Sequence, residues 1–370
     1  MGDAYTPGLA VTRAATVRKT RRLPLVGKVL VEVGARVTAD QVVARTELPG
    51  KVTLVNLATQ LGVLPDELAP TMVVRDGAAI AKGDPLARRK TWFGWSETVI
   101  ASPITGSFDS VSTVTGMAIL SEPPIPVEVR AYVDGTVVEV MANEGVVVET
   151  RGALVQGIFG LGGERQAPIA IVGTDPAQLL DAAQLDESHR GKVVIGGGRV
   201  TLGALRRAAE LGVAAIVSGG FAYQDVRELL GYDVGVAITG NEEIATTLVV
   251  TEGFGDIAMA RTTFELLGSL AGRLASVNGA TQIRAGVIRP EIVVPDPDAA
   301  LAASTATGGL ELGAPVRCIR APYFGRIGTV SALPIELVSL PSETKVRVLE
   351  VDLGTERVTV PRANVEVIER

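Results

Sequence analysis

The chain has 370 residues, of which 47% are hydrophobic, 21% charged and 4% aromatic, and its formal net charge is -6. Its 42 glycines and 20 prolines interrupt apolar residues that are mostly aliphatic, a mixture typical of short strands joined by tight turns. The lone cysteine, Cys318, excludes intramolecular disulfides, iron–sulfur clusters and thiolate zinc sites. The lone histidine, His189, disfavours a histidine-based catalytic triad. No catalytic residue, metal or cofactor is therefore predicted, and the acidic balance disfavours general nucleic-acid binding.

The chain shows no signal peptide, and its apolar runs fall short of the roughly 20 residues that a membrane helix needs. These features predict a cytoplasmic protein without a membrane span. Residues 1–21 are predicted to form a basic leader. A run of cations begins in this segment and extends beyond it, with no acid between its members: Arg13, Arg18, Lys19, Arg21, Arg22 and Lys28. Such a run can bind nucleic acid, but a solvated leader is the favoured interpretation.

Residues 22–170 contain a repeated pattern of a turn glycine followed by β-branched residues. It occurs in 33–44, 76–87 and 144–154, alternating with glycine turns at Gly50, Gly106 and Gly135. These repeats resemble the barrel-sandwich hybrid, the fold of biotinyl and lipoyl carrier domains, which also occurs in larger assemblies. The resemblance implies an attachment lysine at a hairpin tip, but the turn at 157–165 after the third repeat contains none. Covalently attached biotin or lipoate is therefore not expected, and the fold would serve as a scaffold.

Residues 171–295 change character and are predicted to form an α/β domain with a parallel sheet. Strands are expected at 192–195, 214–217, 234–238 and 246–250, with helices at 201–211, 225–230 and 257–270. The layout of strand, helix, strand and Gly-Gly resembles the DRTGG regulatory domain.

The glycine-rich turns after these strands form the first candidate site, because open parallel sheets bind ligands beyond the carboxyl ends of their strands. The residues expected to bind a small anionic ligand there are Gly197, Gly198, Arg199, Ser218, Gly219, Thr239, Gly240 and Glu252. Glycine backbone can approach an anion closely, and Arg199 adds a positive charge. The alternative is that the glycines only make tight turns and that Glu242, Glu243 and Glu252 only complement helix dipoles.

A polar segment at 276–290 has two equally weighted interpretations. It places Asn278, Thr281, Gln282, Arg284 and Arg289 among glycines and short strands. Amides and arginines suit recognition of phosphate or another polar ligand. They equally suit a seam between domains, where buried polar groups satisfy loop backbone.

A linker is predicted at 296–309, followed by a C-terminal domain at 310–370. There, Val316, Ile319, Gly325, Arg326 and Gly328 occupy positions that resemble the KOW motif, which implies an SH3-like β-barrel and a place in ribosomal or transcriptional machinery. The expected partner-binding residues are Arg317, Arg320, Tyr323, Gly325, Arg326 and Gly328, which suit RNA through charge and stacking. Residues 310–370 carry eight basic and eight acidic side chains, so a protein surface is an equally credible partner.

The sequence thus predicts a multidomain α+β protein. An N-terminal all-β barrel-sandwich hybrid is followed by a central α/β parallel-sheet domain and a C-terminal SH3-like β-barrel. The first functional hypothesis is a non-catalytic adaptor or regulatory protein that binds a protein or ribonucleoprotein through its KOW barrel. The alternative is a sensor or enzyme whose α/β domain binds a small molecule or phosphate ligand. Cys318 is expected to be core or edge packing, and His189 to lie in a surface loop.

Overall fold

The fold is known from a computed structural model. It describes residues 9–90, 97–231, 240, 242, 244–282, 288–299, 310–320, 322–323, 325–334, 337–339 and 345–367. The chain is mostly β, with 47% strand and 15% helix arranged as several sheets, one of them a curled half-barrel. This confirms the mostly β character expected from the glycine-rich, aromatic-poor composition. Within the described residues, no helix is both long and apolar enough to cross a membrane.

The N-terminal region consists mainly of short antiparallel strands. In chain order they are β1 (Val11–Arg22), β2 (Lys28–Val29), β3 (Arg36–Val37), β4 (Val42–Leu48), β5 (Val52–Asn56), helix α1 (Leu57–Leu61), β6 (Ala78–Ile80), β7 (Pro85–Lys90), β8 (Glu97–Ala101), β9 (Gly106–Val111), β10 (Met117–Ser121), β11 (Ile125–Arg130), β12 (Gly135–Met141) and β13 (Gly145–Gln156). Three small sheets have the strand orders β5-β10-β9-β6, β11-β4-β2 and β7-β8.

Strands and helices alternate in the middle of the chain. The elements are β14 (Phe159–Leu161), β15 (Glu164–Ile171), β16 (Val193–Ile195), β17 (Arg199–Val200), α2 (Leu202–Leu211), β18 (Ala215–Phe221), α3 (Tyr223–Leu230), β19 (Thr247–Phe254), α4 (Arg261–Ser269), β20 (Leu274–Asn278) and β21 (Glu291–Pro295). β15, β16, β18 and β19 lie side by side in parallel. The strand expected at 234–238 lies outside the described residues.

Helix α2 illustrates how single residues determine where these elements begin and end. Thr201 precedes the helix, and its side-chain oxygen accepts a hydrogen bond from the Ala204 N–H. Gly212 ends it in the left-handed conformation, with a φ of 75°, which glycine adopts without a steric penalty. Leu205, Ala208 and Leu211 lie on the buried face of the helix, which packs against the sheet.

The C-terminal region is a separate antiparallel sheet with its own core. Its strands are β22 (Pro315–Cys318), β23 (Ile327–Ala332), β24 (Leu337–Ser339), β25 (Lys345–Asp352), β26 (Arg357–Pro361) and β27 (Val365–Val367). They follow the order β24-β25-β23-β22-β27, with β26 also paired to β25. Val316, Cys318, Leu349 and Val365 lie in its core, so Cys318 is a packing residue, as expected.

One large sheet joins the N-terminal and middle regions. Among the described residues it contains twelve strands, and its main path is β14-β19-β18-β16-β15-β20-β21-β13-β12-β3. The sheet therefore crosses the domain boundary expected at residue 170. Local patterns did not reveal this, because the connecting pairs, such as β13 with β21, are distant in sequence.

The segment expected to be a solvated leader is, from Val11 onward, strand β1, which pairs antiparallel with β13. Val17 is buried in a hydrophobic core. The cations meet acids of other strands, with Arg18 Nε 2.7 Å from Glu149 on β13 and Arg21 Nη1 2.6 Å from Glu164 on β15. The run itself contains no acid, and its counter-ions come from strands that are distant in the sequence.

Candidate functional site

The glycine turns after β16 and in β18 were the expected anion site, and the amides of Gly198 and Gly219 already have partners. The Gly198 N–H donates to the Gln178 carbonyl at 2.8 Å, and the Gly219 N–H donates to the Gly197 carbonyl at 3.0 Å. The Ser218 hydroxyl donates to the Gly220 carbonyl at 3.1 Å. An anion would have to displace these bonds, so these amides are not preset for a ligand.

These glycines are needed for close backbone packing. A Cβ on Gly197 would lie 2.2 Å from the Asp175 carbonyl oxygen, and one on Gly219 would lie 2.4 Å from the Met259 nitrogen. Both distances are well inside van der Waals contact. The arrangement favours the alternative interpretation, in which the glycines permit tight turns between packed segments.

Arg199 and Gly240 also engage groups of the protein itself. Arg199 Nε lies 2.7 Å from Asp256 Oδ1 in a partly exposed ion pair. Glu242 Oε2 accepts hydrogen bonds from the Gly240 N–H at 2.8 Å and from the Gly162 N–H at 2.9 Å. The chain's own carboxylate thus occupies the position that an anion was expected to take at Gly240. Thr239 and Glu243 lie outside the described residues.

Glu252, near the end of β19, faces the C-terminal sheet instead of an open crevice. Its Oε2 lies 2.6 Å from Arg317 Nη2, and its Oε1 accepts a hydrogen bond from the Ala260 N–H at 3.0 Å. The Arg317 side chain is only 3% exposed. Glu252 therefore anchors the C-terminal sheet to the parallel sheet.

The ion pairs continue to Glu366 and Arg289. Arg317 Nη1 lies 2.8 Å from Glu366 Oε1, and Arg289 Nη2 lies 2.6 Å from Glu366 Oε2. We call the cluster of Glu252, Arg289, Arg317 and Glu366 the seam. Its charges sum to zero, as burial demands, because an unpaired charge in a dry interior is costly.

Apolar contacts reinforce the seam. Ile319 of the C-terminal region packs into the core cluster of the parallel sheet, which includes Phe221 and Leu180. A Cβ on Gly253 would lie 2.5 Å from the Gly325 carbonyl oxygen, so the backbones of β19 and the loop before β23 nearly touch. Gly325, expected to bind a partner, therefore faces inward.

The expected partner-binding residues are thus divided between interior and surface. Arg317 and Gly325 are buried in the seam region. Arg326 is partly exposed and pairs with Glu356 at 2.6 Å. Gly328 lines a shallow surface depression of the C-terminal sheet, whereas Arg320 and Tyr323 are half-buried.

The polar segment at 276–290 contributes to internal contacts. Besides Arg289 in the seam, Thr281 Oγ1 accepts a hydrogen bond from the Gly160 N–H at 2.9 Å. Asn278 Oδ1 accepts one from the Ala280 N–H at 2.9 Å. These contacts favour the structural interpretation of the segment, while Arg284 lies outside the described residues.

The remaining sequence candidates carry no reactive arrangement. Burial raises the pKa of the Cys318 thiol to about 11, so little of it is the nucleophilic thiolate at neutral pH. His189 Nδ1 accepts a hydrogen bond from the Asp186 N–H at 3.2 Å within a surface turn. Within the residues that the structure describes, no group of three or more metal-ligating side chains is present.

Sequence reasoning missed a charged cluster around Tyr132. This residue has a φ of 73°, which is uncommon for a residue other than glycine, and its buried hydroxyl lies near the Glu291 carboxylate without a well-formed hydrogen bond. Arg21 lies over its ring, while Lys19 and Glu291 pair beside it at 2.5 Å. Burial, aided by Glu291 and Glu164, raises the pKa of Tyr132. The cluster joins distant strands, so no local motif marks it.

Comparison with known proteins gives no relative from which a site could be transferred. No protein-family model matches the chain, and a search of curated proteins finds no significant match.

Proposed function

We propose that the chain is a non-catalytic adaptor whose C-terminal barrel binds a protein or ribonucleoprotein, in line with its resemblance to KOW barrels. The observation that carries the proposal is the seam. It commits the strand-end acid Glu252 and the KOW-region cation Arg317 to each other at 2.6 Å. Groups that acid–base chemistry or ligand binding would require exposed are instead used to fix one module against another.

We assign partner binding to the outer face of the barrel. A shallow surface depression of about 520 Å³ is lined by residues of β23 and the turn after β25, among them Ile327, Gly328, Thr329, Asp352 and Leu353. Fixing the barrel through Arg317 and Ile319 holds this face in a defined orientation relative to the large sheet. Such orientation suits a protein that positions one partner against another, since preorganised surfaces lose less entropy on binding.

The charge of this face favours protein as the partner. Asp352 lies within it, and the nearby Arg326 is already paired with Glu356. RNA affinity comes mainly from cations that neutralise phosphates, whereas protein interfaces combine apolar and mixed polar contacts.

Site-specific photo-crosslinking of the full chain in cells of the source organism tests the proposal. A crosslinker at the exposed Thr329 is expected to capture a discrete partner, whereas one at the exposed Asp76, on the N-terminal sheets, serves as the matched control. Capture that resists ribonuclease identifies a protein surface, and capture lost after ribonuclease identifies RNA. Identical products from both positions, or none from Thr329, would contradict the proposal.

A further inference from the structure

Strand β13 changes its neighbour halfway along one edge. Its first half pairs with β12 as far as Glu149, opposite Thr136, and its second half pairs with β21 from Gly152, opposite Pro295. Its other edge pairs with β1 through the same stretch. Thr150 and Arg151 therefore lie at a fork between diverging strands, where the ladder of one edge is interrupted.

The fork opens into a groove of about 630 Å³, which we call the fork groove. Its walls come from β3 and the following turn, the start of β12, the middle of β13 and the end of β21. Side chains with polar groups dominate them: Arg36, Thr38, Asp134, Thr136, Thr150 and Arg151. Small-molecule sites typically occupy about 300–1,000 Å³, so the groove has the size of a metabolite pocket.

Glycines hold both diverging strands close to β13. A Cβ on Gly135 would lie 2.3 Å from the Glu149 carbonyl oxygen, and one on Gly152 would lie 2.1 Å from the Val294 carbonyl oxygen. Beyond the fork, the Asp296 N–H donates to the Arg151 carbonyl at 2.7 Å. These contacts fix the walls, so the groove is formed before any ligand arrives.

The charges in the groove are unequally compensated. Asp134 Oδ1 accepts a hydrogen bond from the Ala39 N–H at 2.7 Å, and Glu149 pairs with Arg18 at 2.7 Å. Arg36 and Arg151 are exposed, and neither guanidinium has an ion pair or hydrogen bond within the described part of the chain. Glu149 is therefore compensated by Arg18 and Asp134 is held by a backbone amide, whereas both arginines remain available.

We propose that the fork groove binds a small metabolite that carries at least two negative charges, such as a phosphate ester or a polycarboxylate. The planar guanidinium of arginine matches the geometry of phosphate and carboxylate oxygens and binds them through paired hydrogen bonds. The Thr136 hydroxyl adds a polar group to the same walls, whereas the Thr38 hydroxyl already donates to Asp40 Oδ1 at 2.7 Å. This site is separate from both the strand-end glycines and the outer face of the barrel.

Calorimetric titration of the full chain at low ionic strength tests the proposal, with glucose 6-phosphate and citrate as anionic probes and glucose as the neutral control. We expect saturable binding of at least one anionic probe and none of glucose. Binding of only one probe would assign the class as phosphate ester or polycarboxylate. The double variant Arg36→Gln/Arg151→Gln is expected to bind at least about tenfold more weakly.

Two further variants separate the groove from general charge effects. Arg88→Gln removes an exposed cation on β7, outside the groove, and is expected to leave binding unchanged. Thr38→Trp keeps both arginines but fills the groove, and is expected to abolish binding. Absence of binding by both anions would overturn the proposal, as would equal loss in Arg88→Gln or full binding by either groove variant. Circular dichroism confirms that each variant is folded.

Discussion

The seam and the fork groove contain the same kinds of side chain in opposite states. In the seam, Arg317 is 3% exposed and its guanidinium meets Glu252 and Glu366. In the fork groove, Arg36 and Arg151 are exposed, while the neighbouring acids are engaged elsewhere. The role of an arginine therefore depends on whether the fold supplies its counter-ion. An arginine paired with acids of the fold joins two parts of the structure, whereas an arginine without such a partner can bind an anionic ligand.

The largest effect is expected from breaking the seam. Arg317→Met removes the cation between Glu252 and Glu366 and leaves both carboxylates buried. Removing one partner of a buried ion pair typically costs about 3–5 kcal/mol. Urea denaturation of the full chain should show a loss of this size in the free energy of unfolding.

Arg326→Met provides the matched control for the seam variant, because it breaks a partly exposed pair with Glu356 in the same C-terminal region. Its cost should not exceed about 1 kcal/mol. Equal losses for the two variants would show that the seam does not join the modules.

A smaller loss is expected from adding a methyl group at the strand-end turns. In Gly219→Ala the new Cβ would lie 2.4 Å from the Met259 nitrogen, so the backbone must shift. Overpacking of this kind costs about 1–3 kcal/mol. Thermal unfolding should show a lower Tm for this variant.

The matched control for Gly219→Ala is Gly203→Ala in helix α2, where the nearest atom to the new Cβ is 3.7 Å away. It should be neutral or stabilising by up to about 1 kcal/mol, because alanine favours the helix. Tolerance of Gly219→Ala at the level of Gly203→Ala would mean that the turn has room for a ligand.

Cys318 is expected to make the stability of the folded chain decline at alkaline pH. Its folded pKa of about 11 exceeds the ordinary value of 9.0, so between these pH values the folded chain holds a proton that the unfolded chain releases. The contribution of Cys318 to stability is therefore present below pH 9 and declines as pH rises toward 11. Denaturation curves should show a smaller decline over this range for Cys318→Ala.

Thiol labelling gives an independent readout of Cys318. Iodoacetamide at pH 8 should modify the thiol only after unfolding. Rapid labelling of the folded chain would contradict the buried placement.

The smallest effect on stability is expected at Tyr132, whose buried hydroxyl lies near the Glu291 carboxylate without a well-formed hydrogen bond. Tyr132→Phe removes only this group and should change stability by at most about 1 kcal/mol, in the stabilising direction. Differential scanning calorimetry measures the change. A clear loss of stability would show that the hydroxyl has a partner, such as a bound water.

Local elements could be predicted from the sequence, but long-range pairing could not. The caps of α2, Thr201 and Gly212, follow from local backbone chemistry and mark its ends correctly. By contrast, Arg317 and Glu252 are 65 positions apart, and Lys19 and Glu291 are 272 apart. No spacing rule brings such residues together. The C-terminal arginines were therefore predicted to bind a partner, and β1 was predicted to be a leader.

The strand-end glycines of the expected anion site show the same limit of prediction from local sequence. A glycine turn after a parallel strand suits both an anion cradle and close backbone packing. Which applies depends on what lies opposite, and for Gly197 this is the Asp175 carbonyl. The fork groove escaped notice because its shape arises where β12 and β21 diverge from β13, a property of the sheet.

Hydrogen–deuterium exchange of the full chain, with and without saturating citrate or glucose 6-phosphate, tests the central comparison most directly. We expect a bound anion to slow exchange at 36–41, 134–136 and 149–151, which line the fork groove, and to leave exchange at 196–199 and 218–220 unchanged. Protection of the strand-end glycines, with no change around Arg36 and Arg151, would contradict it.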